Sequence, residues 1–71
     1  MRPLTKRQRE ILDYVVRHID VNGYAPTITE IGKHFGLSST ATVHKHLVKL
    51  EEKGAIERFP NEDRSIRVLE E

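Results

Sequence analysis

Hydrophobic positions along the chain fall into three groups with helical spacing, followed by two with alternation. Ile11, Leu12, Val15, Val16 and Ile19 recur every three or four residues, one apolar stripe on a helix. Thr5 stands ahead of that stripe with Gln8 three places on, a capping box that sets the start. Asn22-Gly23 ends the helix, since glycine tolerates the left-handed conformation wanted there. Tyr24-Ala25-Pro26 then reads as an extended connector, Pro26 disfavouring helix at Ala25.

Thr27 and Glu30 form a second capping box, and Ile28, Ile31 and Phe35 are expected to face inward behind it. Gly32 costs about 1 kcal/mol relative to alanine inside a helix, which predicts close approach of another helix there. Gly36 closes this short element and Leu37 plugs the turn. The third helix starts within Ser38-Ser39-Thr40, with Ser39 as the cap, and Val43, Leu47 and Leu50 define its buried edge. Lys53-Gly54 stops it. Residues 55–59 and 65–69 alternate like strands, and Pro60-Asn61-Glu62-Asp63-Arg64 between them is rich in turn formers.

These elements predict a mainly α fold with a small β-hairpin, a three-helix winged helix-turn-helix. The whole chain, 1–71, is expected to form one domain, the helix-turn-helix at about 27–52 and the wing at about 55–69. The second helix of such a motif is shaped to lie in a DNA major groove.

With 71 residues the core is modest, burying about 60% of the unfolded surface. There is no cysteine, so neither a disulfide framework nor a thiolate metal site is available. No apolar run approaches the roughly 18 residues of a membrane span, and MRPLTKRQRE lacks the apolar middle of a signal peptide. A cytoplasmic location and no membrane partner are expected. The net charge of +1 does not announce nucleic acid, and its distribution, basic at Arg2, Lys6, Arg7 and Arg9 and acidic towards the C-terminus, fits an ordinary solvated surface equally well. Pattern carries more weight than charge.

On the third helix, Ala41, Lys45, Val48 and Glu52 lie opposite the buried edge at about 100° per residue, flanked by Thr42, His44 and Lys49. The first turns thus offer Ser39, Thr40, Ala41, Thr42, His44 and Lys45. Small side chains admit base edges and a thymine methyl, Lys45 donates to guanine or phosphate, and His44 donates or accepts. The free N–H groups of the helix start favour a phosphate. Arg7 near the first helix start and Arg64 in the wing are candidates for backbone contacts, which position the domain without reading sequence.

Other chemistries fare worse. His44 and His46 are about 200° apart on one helix and cannot grip one ion, with His34 on the neighbouring helix and His18 on the first. His46 is expected half-buried at the core edge and His18 on the surface. Neither metal nor cofactor is expected. No nucleophile elbow, phosphate loop or HExxH is present, so a non-enzyme is expected.

The landmarks together resemble the DNA-binding domain of the LexA repressor family almost end to end. They are LTxRQxEIL at 4–12, GYAPTxxEI at 23–31, FGLSS at 35–39, HLxxLExKGxIER at 46–58 and RxIRVL at 64–69. The resemblance implies a repressor of DNA-damage (SOS) response genes that dimerises on palindromic double-stranded operators. It also implies inactivation by self-cleavage stimulated by the recombinase filament RecA. The family's recognition contacts fall, by position, on Ser39, Ala41, Thr42, His44 and Lys45. The chain departs from the enterobacterial pattern at Ala41, Thr42, His44 and Lys45, and its TVHKHL is more similar to the Gram-positive branch, whose operators centre on GAAC half-sites. Ala25 replaces the proline usual before Pro26.

The self-cleaving domain, with its Ser/Lys dyad, would follow a linker after Glu71. An excised domain and a free-standing relative are both compatible with the sequence. RecA is an expected partner only of a chain carrying that domain, and a homodimer lacking it should be weak. Competing readings remain: a winged helix used for protein interaction, motivated by outward Val48 and the near-neutral charge, a free-standing regulator unrelated to DNA damage, or a metal-responsive regulator through His34, His44 and His46.

Overall fold

The computed structural model describes residues 3–59 and 66–69. Three helices, α1 (Lys6–Asn22), α2 (Ile28–Phe35) and α3 (Thr40–Glu52), precede two short strands, β1 (Ile56–Arg58) and β2 (Ile66–Val68). The strands pair antiparallel with Ile56 opposite Val68, Glu57 opposite Arg67 and Arg58 opposite Ile66. The protein is therefore mostly helical with one two-stranded sheet, a winged helix-turn-helix.

Local sequence sets each boundary. The Thr5 hydroxyl accepts from the Gln8 N–H at 3.2 Å, and Gln8 Oε1 accepts from the Thr5 N–H at 3.1 Å. Thr27 and Glu30 repeat the exchange at 3.1 and 2.9 Å at the start of α2. Ser39 Oγ accepts from the Ala41 N–H at 3.2 Å and caps α3. Each cap satisfies a helix-end donor and contributes about 1 kcal/mol. At the far ends, Gly36 (φ 69°) and Gly54 (φ 79°) take the left-handed conformation. Leu37 N–H then reaches the Gly32 carbonyl at 2.8 Å, and Ala55 N–H reaches that of Leu50 at 3.0 Å. Both are Schellman closures, which turn the chain sharply without orphaning carbonyls.

The core joins Ile11, Leu12 and Val15 of α1, Ile31 of α2, and Val43, Leu47 and Leu50 of α3, with Ala55, Ile56 and Ile66 beneath the sheet. Helix α3 packs on α1, α2 and β1 at once, so its orientation is over-determined. Truncating Leu47, which is wholly buried, would cost about 2–5 kcal/mol.

Several expectations need correction. The strands are shorter than 55–59 and 65–69. Ala55 spends its N–H on the Leu50 carbonyl and only its carbonyl joins the sheet, accepting from Leu69 N–H at 2.9 Å. Phe59 and Leu69 lie beyond the ladder and are exposed, while Ser65 and the turn 60–64 lie outside the described residues. His18 is not a surface residue, its side chain being only 13% exposed. The chain folds back after Gly23, and Tyr24 brings its carbonyl to 2.8 Å from His18 Nδ1. The His18 ring also packs on those of Tyr14 and Tyr24. Ile28 and Phe35 do face inward and pack against the core but stay half-buried, and Val48 is half-buried although it was expected to face outward. Helix α3 does approach Gly32: a β-carbon there would lie 3.5 Å from Val43 Cγ2 and 3.4 Å from the Leu37 carbonyl oxygen. That is ordinary contact, so the approach does not demand glycine.

Candidate nucleic-acid interface

Burying Val43, Leu47 and Leu50 turns the opposite side of α3 to solvent, and Ser39, Thr40, Ala41, Thr42, His44, Lys45 and Lys49 are all exposed. A depression on that side is lined by Thr40, Ala41, Thr42, His44 and Lys45 together with Ile28 from the start of α2. One end of α3 thus presents small, hydroxylated and basic side chains around an apolar floor. Its first turn carries no acid, and its N-terminal N–H groups add partial positive charge. Such a surface can approach base edges closely and attract phosphate.

Further along, Lys49 Nζ sits 3.5 Å from Glu52 Oε1, an exposed pair. Arg7 lies elsewhere, its guanidinium 5.2 Å from the centre of the Phe35 ring and 3.5 Å from Glu10. That contact, a cation over an aromatic face, holds Arg7 beside the end of α2. Arg64 lies outside the described residues.

Two residues adjoin this surface that sequence reasoning passed over. Ile28 was assigned to the interior alone. Arg58 of β1 reaches across to α3, its Nη2 3.3 Å from His44 Nδ1. Strand alternation carried the signal: Arg58 shares a face with Ile56, which is buried beneath α3.

The remaining histidines lie apart from that surface's exposed set or in ring contacts. His34 stacks on Tyr14 with ring centres 4.1 Å apart, and His46 is half-buried. Among the described residues no group of three or more His, Cys, Asp or Glu side chains is placed to hold a metal ion. No described helix is long and apolar enough to cross a membrane. Tyr14 titrates above its ordinary value because burial disfavours the phenolate and the nearby Glu30 carboxylate repels it.

The LexA DNA binding domain family matches residues 1–65 of this chain. The LexA repressor of Staphylococcus epidermidis is 51% identical over 71 residues, which is 100% of this chain and 34% of that protein. Those of Exiguobacterium sibiricum (69 residues, 97% of this chain) and Bacillus thuringiensis (71 residues, 100% of it) are each 49% identical, again over 34% of the relative. The chain therefore belongs to the LexA DNA-binding domain family, and spans about a third of the length of the curated relatives it matches.

Proposed function

We propose that this chain is the operator-reading part of a LexA-type transcriptional repressor of the DNA-damage response, working in the cytoplasm on double-stranded DNA. Helix α3 enters the major groove with Ser39, Thr40, Ala41, Thr42, His44 and Lys45 towards the bases. Lys49, Arg7 and Arg64 serve the phosphates. The observation that carries this reading is the exposed, acid-free first turns of α3, braced from behind by α1, α2 and β1. Family membership supports it independently.

Two copies bind a palindrome, one to each half-site. Alone, one copy holds a half-site weakly, and joining two raises affinity through effective concentration. In this reading the segment itself is not catalytic and needs no cofactor. Self-cleavage and response to RecA belong to a full-length protein carrying the peptidase domain. Selection from random duplexes at low salt tests the proposal and reports half-site and spacing together. Enrichment of a two-fold symmetric site is expected; recovery of no duplex above background would refute it.

A further inference from the structure

The contact between wing and helix fixes the hydrogen-bonding character of His44. Arginine has only donors, so where Arg58 Nη2 meets His44 Nδ1 at 3.3 Å, the ring nitrogen must accept. A neutral imidazole whose Nδ1 accepts carries its proton on Nε2. His44 is exposed on the face that also holds Thr40, Thr42 and Lys45. With the ring edge at Nδ1 occupied by Arg58, the Nε2–H edge is the one left to meet DNA. The sheet holds Arg58 in place: its neighbour Ile56 is buried, and its cross-strand partner Ile66 is buried too.

We propose that Arg58 is a positioning residue for base recognition. It holds His44 as the Nε2–H tautomer, so that His44 reads a base acceptor and rejects an amino group. In the major groove this selects guanine N7 or O6, adenine N7 or thymine O4, and excludes contact with cytosine N4 or adenine N6. The wing thereby takes part in sequence reading without touching a base. This rests on α3 lying in the major groove as described above, and deepens that reading.

Two measurements separate the possibilities. The first uses the free protein: nitrogen chemical shifts of the His44 ring at neutral pH report its tautomer. The Nε2–H form is expected to dominate in the parent, with a mixture in Arg58→Met, which keeps the apolar stem and removes the donors. A parent ring protonated on Nδ1 overturns the proposal whatever the DNA does.

The second compares binding to duplexes varied one position at a time. His44→Ala identifies the base pair that His44 covers. Arg58→Met is expected to relax preference at that same pair by about five- to tenfold. In a His44→Ala background it should add nothing there. If Arg58→Met instead weakens all duplexes alike and lowers the salt slope by about one, Arg58 is a phosphate anchor and the proposal fails. A parent that binds no duplex defeats the groove reading itself, and the ring shifts still report the tautomer separately.

Discussion

The ammonium of Lys53 lies 2.6 Å from Gln8 Oε1, so the residue that closes α3 is bonded to the capping box that opens α1. The same oxygen accepts from the Thr5 N–H, and the ammonium also donates to the Pro3 carbonyl at 3.0 Å. Gln8, only 6% exposed, is thus satisfied by a charge from the far end of the chain. The bond ties the C-terminal end of α3 to the N-terminal end of α1, adding a polar tether to the apolar contacts that already orient α3.

Lys53→Met should therefore behave as a stability variant and not as a DNA-contact variant. Losing a charge-assisted bond to a buried acceptor costs about 1–2 kcal/mol. In a domain of this size the melting temperature should fall by roughly 4–8 °C per kcal/mol. The salt dependence of DNA binding should stay as in the parent. An unchanged melting temperature with a shallower salt slope would assign Lys53 to the phosphates instead.

Gly32→Ala should stabilise the protein. Gly32 lies within α2, away from the left-handed conformation its neighbour Gly36 takes, and the added methyl meets only ordinary contacts. Alanine also lowers the entropy of the unfolded chain, for a gain of about 0.4–1 kcal/mol. A rise of the denaturation midpoint at constant slope is the expected result. A fall would mean that the Val43 methyl cannot yield and that α2 and α3 are packed more tightly than their distances imply.

How much of this was legible in the sequence follows the range of each interaction. The capping boxes at Thr5 and Thr27 and the glycine stops at Gly23, Gly36 and Gly54 are local, so residue type and spacing determined them. Val43, Leu47 and Leu50 were legible because helical periodicity is strict on a face that meets three other elements. Bonds between residues far apart in the chain were not legible. Nothing near Lys53 announces Gln8, and nothing near His44 announces Arg58. His18 was misplaced for the same reason, since its burial depends on Tyr24 returning across α1 after a turn. The exposed face of α3 was readable as a face, whereas its coupling to the wing required the fold.

Tyr14 makes stability depend on pH at the alkaline end. Its folded pKa is raised above the ordinary 10.0 by burial and by Glu30, so the folded state holds the phenolic proton more tightly than the unfolded state. The contribution is fully present below the unfolded value and is lost as pH rises through the folded one. Tyr14→Phe should accordingly lose less stability than the parent when pH is raised through this window. The phenolate absorbance missing from that variant should be a transition centred above the ordinary 10.0. Identical pH profiles for variant and parent would refute the assignment.

Charge on the outer face of α3 should divide into a base-reading part and a phosphate part. Lys45 adjoins His44 and lines the depression with Thr40, Ala41 and Thr42, so Lys45→Ala should weaken operator binding by about 1–3 kcal/mol and relax base preference. Lys49 is one turn further along, beside Glu52. Its removal should weaken all duplexes alike and lower the salt slope by about one. The pair itself is exposed and contributes at most about 1 kcal/mol to folding, so Glu52→Gln should lower the melting temperature by no more than a few degrees. It should nevertheless tighten binding to every duplex, because Lys49 no longer shares its charge with a carboxylate that a phosphate would have to displace. Anisotropy titrations at several salt concentrations check all three variants together. Equal, salt-insensitive binding by Lys45→Ala and the parent would remove α3 from the groove, whatever the other two variants did.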